Sequence, residues 1–176
     1  MIAGFDWDGT LVDSFTGRPL PGVADRLAAL PAGVRTFVAT NQAGPIYRAL
    51  TGQSHYPTVG DLVDAMTTGL AALGWRPDLL LVCVAPAPAQ FAESDWRRAA
   101  SEVVAAYDVP GVSLHVTARP DWRKPQPGML HAAAAHFDVG PAALTYVGDM
   151  DGDRLAAETA GARFVHAAAW REGAEL

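Results

Sequence analysis

The sequence is poor in cysteine and has no long run of apolar residues. Its 176 residues include one cysteine, Cys83, so the chain cannot form an internal disulfide or a zinc site with several cysteine ligands. The longest apolar run, 79–85, is far shorter than the roughly 20 residues of a membrane-spanning helix. Residues 1–4 carry no charged side chain of the kind that opens a secretion signal. We therefore expect a cytoplasmic protein without a membrane partner.

Positive charge is also scarce. Thirteen Lys and Arg against 19 Asp and Glu give a formal net charge of -6, and Lys124 is the single lysine, as Asn41 is the single asparagine. An acidic chain without a basic cluster is poorly suited to bind nucleic acid through its phosphates, although a polynucleotide end could still be a substrate. With 50% hydrophobic and 18% charged residues, the composition favours a globular core over disorder.

Short apolar segments alternate along the chain with segments of helical spacing. We predict strands over 2–5, 35–39, 79–84, 112–116, 144–147 and 163–166. We predict helices over 23–30, 58–74, 94–107, 127–136 and 152–160, and a loop over 41–57. This alternation is typical of βαβ units with right-handed crossovers. The predicted fold is α/β, a three-layer Rossmann-like parallel sheet with helices on both faces.

No linker divides the sequence, so residues 1–176 are expected to form a single domain. The connections between predicted elements leave room for a small lid or insert within 85–122. They do not leave room for a large cap domain.

Polar side chains follow three of the predicted strands at the point where each strand ends. Because the carboxyl ends of parallel strands meet at one edge of a sheet, we expect these side chains to share a crevice. Like charges so close cannot all stay ionised without a cation, and Mg²⁺ is the usual partner where a substrate also supplies phosphate oxygens. The residues concerned are Asp6, Asp8, Thr40, Asn41, Asp149 and Asp153.

The segment after the first strand suits phosphoryl transfer. Asp6 and Asp8 lie on one side of an extended chain, with Trp7 facing the core, and Gly9 lets the following amides approach an anion. One carboxylate can attack phosphorus to form an aspartyl phosphate while its neighbour protonates the leaving oxygen. A metal and nearby cations would offset the charge of the transferring group.

Four segments resemble the motifs of the haloacid dehalogenase-like (HAD) phosphohydrolase superfamily, in the same order. Residues 5–12, FDWDGTLV, resemble the first motif, and 38–44, VATNQAG, the second. Residues 123–130, RKPQPGML, and 147–153, VGDMDGD, resemble the third and fourth. The second and third are most similar to the subfamily III branch of histidinol-phosphate, heptose bisphosphate and polynucleotide 3′-phosphatases. The Cys/His zinc loop of some of these enzymes has no counterpart in 86–122, which contains no cysteine.

The resemblance implies a role for each motif residue. Catalysis would depend on Asp6 as nucleophile, Asp8 as acid and base, Thr40 and Lys124. Substrate binding would involve Gly9, Thr10, Asn41 and Arg123, although Arg123 could equally face solvent. Mg²⁺ would be held by Asp6, the carbonyl of Asp8, and Asp149, with Asp153 in support.

These observations predict a monomeric, Mg²⁺-dependent phosphomonoester hydrolase that acts on a small metabolite phosphate, such as a sugar or amino-alcohol phosphate. A 3′-phosphatase acting on nucleic-acid ends is one alternative, which the acidic charge disfavours. A receiver-like phosphoacceptor module is another. The receiver fold carries its accepting aspartate on a middle strand, whereas Asp6 follows the first strand here.

Overall fold

The computed structural model of the protein, which describes residues 1–104 and 107–176, contains a six-stranded parallel sheet. Its strands are β1 (Ile2–Phe5), β2 (Arg35–Asn41), β3 (Leu79–Cys83), β4 (Ser113–Thr117), β5 (Leu144–Gly148) and β6 (Arg163–His166). They lie in the order β4-β3-β2-β1-β5-β6, and every neighbouring pair is parallel. The predicted α/β sheet is thereby confirmed.

In the described part of the chain, seven helices cover the two faces of the sheet. They are α1 (Val23–Ala28), α2 (Gly44–Thr51), α3 (Val59–Ala72), α4 (Glu93–Val103), α5 (Gly128–His136), α6 (Asp151–Ala160) and α7 (Ala167–Arg171). Short 3₁₀ turns occur at Pro120–Trp122 and Pro141–Ala143. The apolar residues of α5 and α6 form one core with the sheet, and those of the other five helices form a second core on the opposite face.

The alternation of side chains along each strand explains why there are two cores. In β3, Leu80 and Val82 point to one face, and Leu79, Leu81 and Cys83 point to the other. Both sets are fully buried, which is why this strand is a continuous apolar run in the sequence rather than an alternating one.

The order of the strands reverses next to β1. The chain passes from β1 to β2 on one side of it and later returns to β5 on the other side. Phe5 is in register with Val38 of β2 and with Val147 of β5, so the loops that follow these three strands begin at about the same level. In open parallel sheets such a reversal opens a crevice at the carboxyl edge.

Two helices were not predicted, and one predicted helix differs at its end. The prediction of a loop over 41–57 is wrong, because α2 lies within it, with Pro45 in its first turn and Gly52 at φ +69° as its C-cap. Helix α7 was also missed. Helix α4 ends at Val103, and residues 105–106 of the predicted helix 94–107 lie outside the described residues.

The segment 85–122, which could have held a lid, instead contributes α4 and β4 to the layers of the fold. Residues 84–92 form a loop between β3 and α4, at the carboxyl edge of the sheet. Within the two described ranges, no helix is both long and apolar enough to cross a membrane.

Candidate active site

A cavity of about 330 Å³ opens at the carboxyl edge of the sheet, where the loops after β1, β2 and β5 meet. Seven of the predicted site residues line it together with two other side chains and one glycine. The lining residues are Asp6, Asp8, Ser14, Thr40, Asn41, Lys124, Asp149, Met150, Gly152 and Asp153, of which Lys124 comes from the loop before α5.

The loop after β1 directs its two carboxylates into this cavity. The backbone N–H of Asp6 still donates to Val147 O at 2.8 Å, which extends the pairing with β5 by one residue. The chain then turns tightly, with Leu11 N and Val12 N both donating to Trp7 O. Trp7 lies in the core, as its alternation with the two aspartates predicts.

Lys124 lies at the centre of the site and is almost completely buried. Its Nζ contacts Asp6 Oδ1 and Asp153 Oδ1, each at 2.6 Å. It also donates to the backbone carbonyl of Ala39 at 3.0 Å and to the hydroxyl of Tyr146 at 2.9 Å. Tyr146 in turn donates to Ala39 O at 2.6 Å. The ammonium group is therefore held in place by groups from β2, β5 and α6.

The side-chain amide of Asn41 forms hydrogen bonds with the backbone of Lys124. Its Nδ2 donates to Lys124 O, and its Oδ1 accepts from Lys124 N, both at 3.0 Å. Both polar atoms of the amide are thus used in a bond to one residue, 83 positions further along the chain. The predicted role of Asn41 in binding the phosphoryl group would depend on the second hydrogen of Nδ2 or on its backbone.

Gly9 and Thr10 lie behind Asp149. A Cβ at Gly9, which has φ +72°, would collide with the Asp149 carboxylate, so a larger residue would displace this side chain. The hydroxyl of Thr10 donates to Asp149 Oδ1 at 3.5 Å, and Thr10 is fully buried. Arg171 of α7 donates to the carbonyls of Gly9 and Thr10 at 3.1 and 3.2 Å, which ties this turn to the end of the chain.

Asp153 belongs to the first turn of α6 and is 2% exposed. Its Oδ2 accepts from Met150 N at 3.0 Å, while its Oδ1 pairs with Lys124. A Cβ at Gly148 would collide with the Asp153 side chain, so glycine at the end of β5 allows the close approach of this carboxylate.

Asp8 and Thr40 share a partner that the sequence analysis did not assign. Gln42 Nε2 donates to Asp8 Oδ2 at 2.5 Å and to Thr40 Oγ1 at 3.2 Å. The Gln42 side chain thus fixes the orientation of Asp8 relative to the end of β2.

Burial changes the acidity of the site residues. It raises the pKa of Asp6 to about 6, although Lys124 acts in the opposite direction. It also raises the pKa of Asp8, against the hydrogen bond from Gln42, and that of Asp149, where Asp153 adds repulsion. Burial disfavours the charged form of Lys124, but Asp6, Tyr146 and Asp153 together outweigh it and keep the pKa of Lys124 well above the usual range. Four carboxyl groups therefore face one buried ammonium group.

The donor set suits a hard divalent cation. One carboxylate oxygen from each of Asp6, Asp149 and Asp153 lies within 4.8 Å of the others. Oxygen ligands of this kind are those that Mg²⁺ prefers in proteins, and a dication would relieve the excess of negative charge. The carboxylate of Asp8 does not belong to this group.

Arg123 lies outside the cavity that holds the carboxylates. Its Nη1 donates to Ala85 O at 2.8 Å, and its side chain lines a neighbouring cavity next to the loop 84–92. The structure thus brings six of the predicted residues together around Lys124 and places Gly9, Thr10 and Arg123 at the periphery.

Among the described residues, three side chains that form hydrogen bonds with site residues had no predicted role. Gln42 was part of a recognised motif, and Tyr146 is a polar group inside an apolar strand, so both had a signal in the sequence. Arg171, 161 positions from Thr10, had none, because its contacts arise from the packing of α7 against the first loop.

The fold and the site define the class of the protein: a parallel α/β protein with a carboxylate and lysine cluster at the reversal of strand order. Comparisons with known proteins agree. Residues 121–168 match a family model described as "HAD-hyrolase-like". The chain is 32% identical over 163 residues to the D-glycero-beta-D-manno-heptose-1,7-bisphosphate 7-phosphatase of Pseudomonas putida, covering 92% of this chain and 74% of that protein.

Two solved structures share the fold. One, from B. bronchiseptica, is a D,D-heptose 1,7-bisphosphate phosphatase complexed with magnesium and phosphate; it has a TM-score of 0.60 and 25% identity and covers 93% of this chain and 78% of that one. The other, from Mesorhizobium loti, is described as a HAD-like phosphatase; it has a TM-score of 0.61 and 24% identity and covers 91% of this chain and 68% of that one. The chain belongs to the HAD superfamily of phosphatases, in the heptose bisphosphate and histidinol-phosphate branch, and it is a phosphatase.

Proposed function

We propose that the protein is a Mg²⁺-dependent phosphomonoester hydrolase that forms an aspartyl phosphate on Asp6. The observation that carries this proposal is the position of Asp6, whose carboxylate lines the cavity while the ammonium group of Lys124 holds it at 2.6 Å. The fixed charge of Lys124 orients the nucleophile and offsets charge on the transferring phosphoryl group.

In the first step, an oxygen of Asp6 attacks phosphorus, and the bond between phosphorus and the leaving oxygen breaks. Asp8 gives its proton to that oxygen, so the product leaves as a neutral alcohol. Burial raises the pKa of Asp8, which favours the protonated form that this step requires. In the second step, Asp8 takes a proton from water as the water attacks the aspartyl phosphate, and inorganic phosphate leaves Asp6 free.

The metal would be held by the carboxylates of Asp6 and Asp149 with the carbonyl of Asp8, and Asp153 would support it. Bound Mg²⁺ supplies a positive charge that stabilises the phosphoryl oxygens during transfer. Thr40, 1% exposed at the end of β2, would position a phosphoryl oxygen through its hydroxyl or the neighbouring amide.

The substrate we propose is a small metabolite phosphate. The Pseudomonas putida relative is named for a sugar bisphosphate, and this supports a sugar phosphate as the first class to test. A net charge of -6 argues against a polynucleotide.

The test of the proposed chemistry is phosphate release from p-nitrophenyl phosphate by wild type and by Asp6→Asn. We expect turnover that requires Mg²⁺, stops with EDTA, and falls by roughly a thousandfold or more in the variant, on the scale of other nucleophile removals. Asp64→Asn, which removes an exposed carboxylate from α3, should keep the wild-type rate. Wild-type activity in Asp6→Asn would contradict the proposal.

A further inference from the structure

A second cavity, of about 580 Å³, adjoins the active site on the β3 side of the sheet. The loop 84–92, the first turns of α4 and the loop that carries Lys124 form its walls. Lys124 lines both cavities, so the second space adjoins the residue whose ammonium group contacts Asp6. The second cavity is thus placed to receive a leaving group.

The walls of this cavity are mostly apolar. Pro86, Ala87, Phe91 and Trp96 line it, together with Pro120 and Pro125. Trp96 is 8% exposed and anchors α4 in the core, whereas Phe91 is half-buried and presents part of its ring. Burying an apolar group of a ligand against such a lining stabilises the complex. A polar group that loses its water there without a new hydrogen-bond partner destabilises the complex.

The charged groups of the wall are largely occupied by one another or by the backbone. Arg97 Nη2 pairs with Glu93 Oε1 at 2.6 Å, and Arg123 Nη1 is bound to Ala85 O. A polyhydroxylated leaving group would need several hydrogen-bond partners here, and the wall offers the amide of Gln126 and the remaining N–H groups of two arginines against eight apolar side chains. The chemistry of the cavity therefore favours a hydrocarbon or ring.

Phe91 is held in place by a row of aromatic side chains. Its ring meets that of Tyr47 edge-on at 5.2 Å, and Tyr47 stacks on Tyr56 at 5.3 Å. The hydroxyl of Tyr47 also donates to Gln90 Oε1, which links α2 to the loop 84–92. The apolar wall is therefore supported from α2 rather than formed by an isolated loop residue.

We propose that this cavity binds the leaving group and selects phosphomonoesters of alcohols that carry an apolar or aromatic ring over those of polyols. The proposal rests on the proposed function of the neighbouring site, because it assigns the alcohol side of the same substrate. It departs from the sugar phosphate that the relative's name suggests.

The test compares two phosphates of primary alcohols, 2-phenylethyl phosphate and glucose 6-phosphate, so that the leaving oxygens are chemically alike. We expect kcat/KM of wild type to be at least about tenfold higher for 2-phenylethyl phosphate, equivalent to about 1.4 kcal/mol. Phe91→Ala should lower this ratio about fivefold, since it removes part of the apolar wall. Phe91→Leu, which keeps apolar volume, should retain more of the ratio than Phe91→Ala does.

Leu155→Ala is the matched control, because Leu155 is an apolar side chain, 43% exposed on α6, that lines neither cavity. It should leave the ratio at the wild-type value. Equal turnover of the two phosphates, or a preference for glucose 6-phosphate, would overturn the leaving-group proposal and leave the phosphatase chemistry intact. Absence of Mg²⁺-dependent turnover with p-nitrophenyl phosphate as well would overturn the proposed function and this inference with it.

Discussion

Asp6 is a buried carboxyl group, and burial disfavours its charged form. Asp6 is 7% exposed, and its pKa is raised to about 6 despite contact with Lys124. The acidic neighbours Asp149 and Asp153 add negative charge around it. A carboxylate held in this way is poised to bind a cation, but its burial destabilises the metal-free fold.

We expect Asp6→Asn to stabilise the metal-free protein. The pKa of Asp6 is about 6 when folded and 3.8 as the ordinary value, so the folded state binds more protons and its stability falls as pH rises through this window. Asparagine does not ionise and so avoids this loss of unfolding free energy, which is about 3 kcal/mol at pH 8 and about half as large at pH 5. Urea unfolding in EDTA at both pH values measures it.

The control for this comparison is Asp64→Asn, which removes a charge from the exposed face of α3. Two results would contradict this expectation: Asp6→Asn less stable than wild type at pH 8, or a difference in unfolding free energy that is as large at pH 5 as at pH 8. Either would show that the contact with Lys124 outweighs the cost of burying the carboxylate.

The sequence alone predicts the identity of most site residues but not their contacts. Lys124 and Asn41 attract notice because each is the single residue of its type, and both lie in motifs. That the Asn41 amide bonds to the backbone of Lys124 could not be predicted, because it depends on how two loops far apart in sequence meet. The contact of Arg171 with the first loop is hidden for the same reason.

At the scale of elements, apolar periodicity predicts the strands and most helices. A helix here has to bury one apolar stripe, and a strand of the sheet has to bury two faces. Helix α2 was missed since its segment is rich in glycine, proline and polar residues, which individually favour a loop. Proline and glycine disrupt a helix when they lie in its middle. In α2, however, Pro45 occupies the first turn and Gly52 the C-cap. Ile46, fully buried, then anchors the helix to the core.

The capping box of α3 gives a prediction for one element. Thr58 Oγ1 accepts from Asp61 N at 3.1 Å, and Asp61 Oδ2 accepts from Thr58 N at 2.9 Å. Thr58→Ala should therefore lower the free energy of unfolding by about 1 kcal/mol. Phosphatase activity should not change, because Thr58 lines neither of the two cavities.

Chemical denaturation measures this effect, and Thr67→Ala provides the matched comparison. Thr67 is an exposed threonine in the interior of the same helix, where its hydroxyl donates to Val63 O. If the two substitutions cost the same, the cap would have no special contribution to the stability of α3.

At the scale of the whole molecule, the site is assembled from parts distant in sequence, between Asp6 and Asp153. The carboxylates, Thr40 and Lys124 come together only when β1, β2 and β5 are side by side. A ligand that binds this arrangement should stabilise the entire fold, because the unfolded chain does not bring its donors together.

We therefore expect Mg²⁺ to raise the thermal unfolding temperature. A concentration of 100 times Kd adds about 2.7 kcal/mol, equivalent to roughly 5 to 10 °C for a domain of this size. Differential scanning calorimetry in MgCl₂, against NaCl of equal ionic strength, measures the shift. Asp149→Asn should lose most of it, and an equal shift in that variant would place the bound cation elsewhere on the molecule.

The bond between Asn41 and Lys124 also bears on how such an enzyme can diversify. Asn41 ties the backbone of Lys124 directly to the end of β2. Changes in the loop 84–92 can therefore accumulate while this bond keeps Lys124 in place. Evolution can exchange the wall of the proposed leaving-group cavity while the cluster around Lys124 is inherited unchanged.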